Sequence, residues 1–291
     1  MSNSLRSFMD RLFSKSGYEF VPFTCTRWYD SVPMSTMKAP RRTFLGGIAL
    51  FTIARAGFAG AAMRAGCANG FRPAMSRIAG EFQPAMEVDY AEGAVLLRRL
   101  LEGERFDVVI LARSSFDGLM PQGIVLADSV IDLAATDRLG VAVRRGDALP
   151  DDETVGAFRR WLLGLKSVAL TNPAVAGAAG RQFLTSIERL GIAEEIKGRL
   201  ILTPGGPANV RLVTSGEAQA AVQLSHLLSG VDGLAVVSVP AEFRGTVIFA
   251  AGVVAGTPDQ AAAISLMKFL RGPVAAQAIE ASGMRRSPWP T

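Results

Sequence analysis

Residues 94–112 read AVLLRRLLEGERFDVVILA, and the order of the two halves decides the fold class. The first half, AVLLRRLLEG (94–103), reads as a helix stopped by Gly103, since glycine ends helices by taking the left-handed conformation without steric cost. The second, FDVVILA (106–112), is continuously apolar after Asp107. A strand without polar alternation is covered on both faces, which is the condition of a strand inside a parallel sheet.

The same alternation extends in both directions. Upstream, AAMRAGC (61–67) reads as a short buried strand and MEVDY (86–90) as another. Between them Phe71, Met75, Ile78 and Phe82 fall at helical spacing. Downstream, 130–144 holds two strand candidates ending in RLGVAVR. DDETVGAFRRWLLGL (151–165) predicts a helix whose acidic first turn suits the helix dipole. KSVALTN (166–172) and RLILTP (199–204) are strands around a helix over 180–192 closed by Gly191. PANVRLVTSG (207–216) is a helix; QAAVQLS (219–225), LAVVSVP (234–240) and TVIFAAGVVAG (246–256) are strands. Thr257 is expected to cap a helix with Pro258 at its first position and Gln260 three after the cap. That helix runs to about Leu270, and a last one, PVAAQAIEASG, ends at Gly283. Strands alternating with helices predict an α/β protein with mainly parallel sheets.

Composition removes several function classes. The chain has 291 residues, 49% of them hydrophobic, so it can bury a core and is not intrinsically disordered. Two cysteines and one histidine are too few for a disulfide scaffold, a four-thiolate zinc site or a conventional His/Cys metal centre; no metal or cofactor is expected. The net charge of +5 lies wholly in residues 1–62, which carry eight Lys/Arg and three Asp/Glu; residues 63–291 balance at 23 of each. The body therefore has no basic field for nucleic acid, and residues 1–60 show no helix-turn-helix pattern.

The N-terminal segment reads as an address. Met34 and Met37 are alternative starts. From Met37, Lys38, Arg41 and Arg42 precede an apolar run from Thr43 to Ala54, followed by Ala-x-Ala spacings at 54–56 and 59–61. Basic region, short apolar region and small residues make a secretory signal, and the run is shorter than the ~20 residues a membrane span needs. PRRTFLGG resembles a twin-arginine signal, with Pro40 and Gly46 departing from its usual flanks. Export to the periplasm is the expectation; an amphipathic extension on a cytosolic protein is the alternative.

Four stretches of the body resemble the substrate-binding proteins of ABC transporters, in their molybdate-binding class. They are FDVVILA (106–112) after LLRRLLEGER, RLGVAVRRG (138–146), ALTNPAVAGAAGRQFLTSIERLGI (169–192) and TSGEAQAAVQLS (214–225). The closing segment from Val239 to Met284 is also similar. The resemblance covers about 63–284. It implies a type II periplasmic-binding-protein fold: two lobes with mainly parallel sheets, joined by two crossing strands, with the ligand clamped between them. One lobe is expected from 63–144 and 237–291, the other from 145–236, with crossings near Arg138–Arg144 and Val237–Phe249. It also implies a small-molecule solute, an ABC permease as partner and sole link to the membrane, and a monomer.

In such a cleft, contacts come from loops at strand C-termini and from the helix starts after them, whose free N–H groups suit anions. Four loops supply the candidates: Cys67, Ala68 and Asn69; Gly93 and Ala94 beside Glu92; Ala178 and Ala179; Gln223 and Ser225. Each has a plainer reading. The alanines allow close packing, Asn69 forms a turn, Ser225 caps a turn, Gln223 is a satisfied strand end, Glu92 a solvated charge and Cys67 a small buried residue. Arg113 stands just past a strand, within reach of cleft or crossing, and His226 reads as a surface or interface histidine. The resemblance implies a serine in each of the first two loops and a tyrosine in the fourth; Asn69, Glu92 and Leu224 stand near those places. Molybdate loses its hydroxyl donors, and a small organic acid stands on an equal footing with it. No nucleophile–base pair is visible, and Gly205-Gly206-Pro207 lacks Walker spacing. The favoured reading is an exported, non-enzymatic solute receptor. The alternative is a cytosolic enzyme or ligand sensor on a related α/β fold.

Overall fold

The computed structural model describes residues 62–173 and 177–286; the signal-like segment, its twin-arginine motif and the alternative starts lie outside the described residues. The strands are β1 (Met63–Ala68), β2 (Met86–Ala91), β3 (Val108–Ala112), β4 (Ile131–Asp137), β5 (Gly140–Arg144), β6 (Val168–Thr171), β7 (Leu200–Thr203), β8 (Ala220–Gln223), β9 (Leu234–Val237), β10 (Thr246–Val253) and β11 (Arg285–Arg286). The helices are α1 (Arg72–Glu81), α2 (Gly93–Leu101), α3 (Arg113–Leu119), α4 (Val155–Gly164), α5 (Ala178–Arg189), α6 (Ala193–Lys197), α7 (Gly206–Thr214), α8 (Ser225–Leu228), α9 (Ala241–Arg244), α10 (Gln260–Arg271) and α11 (Pro273–Ala281).

They form two sheets, ordered β11-β4-β10-β3-β1-β2 and β7-β6-β8-β5-β9. This is the two-lobed type II periplasmic-binding fold. The chain passes to the second sheet through Arg138–Leu139 and returns through residues 238–245. The two passages lie side by side: Arg138 N–H donates to Gly245 O at 3.0 Å and Leu139 N–H to Arg244 O at 2.8 Å.

The sheets are more mixed than the sequence predicts. β1 is parallel to β2 and β3, and β6 to β7 and β8. β10 runs antiparallel to β3 and β4, and β5 to β8 and β9. The reason is geometric. The parallel strands end at the space between the sheets, whereas β5 and β10 enter from that space and run away from it.

Small residues let the layers close. In the second sheet Ala142, Ala169 and Ala221 are fully buried and pack with Val213 of α7. In the first, Phe71 and Phe249 meet with ring centroids 5.6 Å apart. At the entry to β5 there is no room for a side chain: a Cβ on Gly140 would stand 2.6 Å from Ser225 Cα and 3.0 Å from its nitrogen. Because the obstacle is backbone, Gly140→Ala is expected to destabilise the fold by ~1–3 kcal/mol, as overpacking does. Thermal unfolding would show a midpoint several degrees lower; an unchanged midpoint would contradict the packing argument.

Two local expectations change. The helix after Thr257 starts at Gln260, capped by Asp259, whose carboxylate accepts from Ala262 N–H at 2.9 Å. Thr257 is drawn instead to the buried carboxylate of Asp107, to which its hydroxyl donates. The short helices α3, α6, α8 and α9, four to seven residues each, are not visible as periodic patterns. No helix among the described residues is long and apolar enough to cross a membrane.

Candidate functional site

The strand ends of the two sheets face each other across a cleft of about 720 Å³. One wall carries Ala68–Gly70 after β1, Glu92–Ala94 after β2, and Ser114 and Ser115 after β3. The opposite wall carries Thr171 at the end of β6, Gly177–Ala179, Gly206–Pro207, and Gln223–Leu224 after β8. Such a volume lies within the range of small-molecule sites.

Several helices begin here, α2, α5 and α7 among them. The first N–H groups of α2, α5 and α7 have no carbonyl one turn back, and the helix dipole makes these ends positive. The turn before α5 depends on Gly177, whose φ of +101° belongs to glycine. At α7 the lack of a side chain on Gly206 admits Gln223: a Cβ there would lie 1.3 Å from Gln223 Nε2. Gln223 Oε1 accepts from Leu224 N–H at 2.9 Å, which fixes the amide over the first turn of α7.

The second wall is braced from beneath by Asn209, fully buried on α7. Its Nδ2 donates to Val222 O at 2.8 Å and to Thr171 Oγ1 at 3.4 Å, while its Oδ1 accepts from the Thr203 hydroxyl. One side chain therefore ties the cleft ends of β6, β7 and β8 to α7.

Charge on the walls is unequal. Arg72, Arg138 and Arg181 line the cleft, against Glu92 as the one acidic lining residue among those described. Arg72 stacks over Tyr90, 4.5 Å from its ring centroid, and Arg138 Nη2 donates to Thr246 O at 2.9 Å. None of the three arginines forms an ion pair with a described residue. Packing around the Arg181 guanidinium, and then the positive charge of Arg138, pull its pKa below the ordinary arginine value. Cations without anionic partners facing one cleft are suited to an anion.

Ala68, Asn69, Gly93, Ala94, Ala178, Ala179 and Gln223 are all on the cleft walls. Cys67 and Ser225, also expected there from the sequence, lie elsewhere although their loops are right, and Arg113, read as within reach of cleft or crossing, is not among the cleft lining. Cys67 is fully buried in β1 with Sγ against Ala68 O at 3.6 Å; its side chain points into the core because residues alternate along the strand, and burial raises its thiol pKa. Ser225 lies just behind the wall, its backbone against Gly140. Arg113 turns to Asp117 and Asp132, at 3.2 and 3.3 Å. The residues that sequence reasoning misses are Ser114, Ser115, Thr171 and the three arginines. The serines follow a strand end, the same signal that marks the other loops.

His226, the one histidine of the chain, is buried and so is not at the surface, the first of its two expected settings. Its Nε2 lies 2.8 Å from Gly70 O and its Nδ1 3.0 Å from Thr136 Oγ1. A carbonyl only accepts, so Nε2 carries the proton and Nδ1 accepts from the threonine hydroxyl. The ring joins the cleft loop after β1 to β4, the strand leading to the crossing. Burial lowers its pKa below the ordinary 6.5, with the Gly70 bond opposing. The unfolded chain then binds a proton at a pH where the folded chain does not. Stability is full above about pH 6.5 and falls as pH drops from there toward the lower folded pKa. Urea unfolding at pH 7.5 and 5.5 is expected to show this loss, and His226→Gln to reduce it; equal losses in both proteins would assign it elsewhere.

Comparison with known proteins agrees with this fold. The family model for bacterial extracellular solute-binding proteins matches residues 63–285. An aconitate isomerase of Pseudomonas sp. is 31% identical over 191 residues, covering 65% of this chain and 71% of that protein. Among solved structures, the periplasmic molybdate-binding protein of Azotobacter vinelandii superposes with a TM-score of 0.63 at 21% identity, covering 78% of this chain and all of that one. The sulfate-binding protein of Mycobacterium tuberculosis gives 0.61 at 14% identity over 78% and 87% of the two chains. With the family model spanning nearly all of the described residues, the chain belongs to the bacterial extracellular solute-binding protein family.

Proposed function

We propose that this protein is an exported receptor that clamps a small organic acid between its lobes and delivers it to an ABC permease. The observation that carries the choice of ligand is the pair Arg138 and Arg181, which face one cleft without acidic partners. A carboxylate there gains charge-assisted, bidentate hydrogen bonds. The cleft also has apolar wall from Leu97, Val210, Leu227 and Phe249, which suits a carbon skeleton better than a bare oxyanion. Closure would turn on the two paired crossing segments, a hinge arrangement common to ligand-clamping proteins. The seven wall residues read from sequence, with Arg138 and Arg181 added, are the proposed contacts.

The test is thermal unfolding of residues 62–291 with small mono-, di- and tricarboxylates, alongside molybdate, tungstate, sulfate and phosphate. A ligand at 100 times its Kd adds ~2.7 kcal/mol. Stabilisation by carboxylates alone supports the reading; stabilisation by molybdate or sulfate alone replaces it with oxyanion capture on backbone N–H groups. Export is tested by the N-terminus of the mature protein in a periplasmic extract, expected near residues 57–63.

A second reading rests on one observation, the relative named as an aconitate isomerase. Glu92, a carboxylate opposite arginines, is a suitable acceptor for a proton on carbon beside a carboxylate. Incubation with one geometric isomer of aconitate, followed by proton NMR, separates the two. Appearance of the other isomer, lost in Glu92→Gln, makes the protein an enzyme; a bound but unchanged aconitate leaves it a receptor.

A further inference from the structure

The cleft is not uniformly cationic, and its second pole has a chemistry of its own. Glu92 lines the same space as Arg72, Arg138 and Arg181, yet forms an ion pair with none of them. Its Oε1 receives one hydrogen bond, from Asn69 Nδ2 at 3.2 Å. It reaches toward the facing wall, since a Cβ on Gly205 would lie 3.8 Å from Oε1. That bond also fixes the Asn69 amide: reversing it would set a carbonyl oxygen against a carboxylate. Asn69 Oδ1 is therefore an acceptor, and it is buried with no hydrogen-bond partner among the described residues. The pole holds a carboxylate with most of its acceptor capacity unspent and a neighbouring amide oxygen with none spent. Neither welcomes a second carboxylate, and both require protons.

Resting on the organic-acid reading, we propose that the ligand is bifunctional. Its carboxylate is held by Arg138 and Arg181, and a hydrogen-bond donor on its skeleton, a hydroxyl or an ammonium, is received by Glu92 beside Asn69. The cargo is thus a small hydroxy or amino acid rather than a simple carboxylic acid. A site built around such acceptors rejects the analogue that leaves them unpaired.

The experiment is titration calorimetry of the protein with matched acids differing at one carbon. The sets are propionate, lactate and alanine; succinate, malate and aspartate; and tricarballylate and citrate. In the set that binds, the hydroxy or amino member is expected to bind about tenfold or more tightly than the unsubstituted acid. Comparison of hydroxyl with ammonium identifies the donor. Glu92→Gln, which keeps the shape, is expected to erase most of that preference while the unsubstituted acid binds as well or better. Its unfolding midpoint without ligand serves as the fold control. Equal or tighter binding of the unsubstituted acid, or an equal loss for all members in Glu92→Gln, overturns the proposal and leaves organic-acid capture standing. Binding by no carboxylate overturns organic-acid capture itself, and the proposal with it.

Discussion

Asn209→Leu is expected to lower the stability of the protein by ~3 kcal/mol or more, although this side chain is not among the cleft lining. The size follows from what the change leaves behind. Val222 O, Thr171 Oγ1 and Thr203 Oγ1 all meet this one amide, and each buried polar group left without a partner costs ~1–3 kcal/mol. Thr203 keeps weaker alternatives, at 3.2 Å to Gly205 O and 3.5 Å to Leu170 O, so its share is the smallest. Leucine has similar bulk but offers neither donor nor acceptor, so the effect is not that of a cavity. A typical domain has only ~5–15 kcal/mol to lose, and urea titration would resolve the change easily. The same amide ties three strand ends to α7, so Gln223 and Gly206 should lose their register and ligand affinity should fall even in protein that remains folded. A variant with wild-type stability would mean that the network is satisfied by water and braces nothing.

What the sequence makes legible, and what it hides, divides along a physical line. Strands such as β3 and helices such as α5 declare themselves because burial imposes a pattern on the whole element, and the loop positions follow from strand ends. Ala178, Ala179, Asn69 and Gln223 are legible for that reason. The arginines are not. Arg72 and Arg181 sit in the first turns of α1 and α5, where in sequence they resemble any solvated helix charge; only the facing lobe turns them inward. Arg138 opens RLGVAVR, which reads as a strand and a crossing, and nothing in that pattern says that its side chain lines the cleft. Cys67 misleads for the opposite reason: its loop is right, but strand alternation turns its side chain into the core. His226, a surface or interface histidine by its sequence context, is buried by contacts 90 and 156 residues away in sequence, which no local pattern encodes.

The arginines therefore carry the most informative substitution. Arg181→Met is expected to weaken carboxylate binding about ten- to a hundredfold, the ~1.5–3 kcal/mol of a hydrogen bond to a charged group. Arg181→Lys should fall between, keeping the charge but losing the planar fork. The accompanying effect on stability has the other sign. Arg181 has no anionic partner among the described residues, and both its packing and the Arg138 charge work against its protonated form. Removing the charge relieves a repulsion, so the ligand-free variant should be no less stable than the natural protein. Arg138→Met is the contrasting case, because its Nη2 also donates to Thr246 O beside the crossing, and it should lose stability along with affinity. In the natural protein, ligand cancels the repulsion, and the unfolding curves with and without ligand should stand well apart. In Arg181→Met the lower curve stays or rises and the upper one falls, so at a ligand concentration of about 100 times the natural Kd the gap should shrink to about half for a tenfold loss and nearly close for a hundredfold one. If they remain as far apart as in the natural protein, the anion is held elsewhere in the cleft, and the helix starts at Gly93 and Gly206 become the places to look for it.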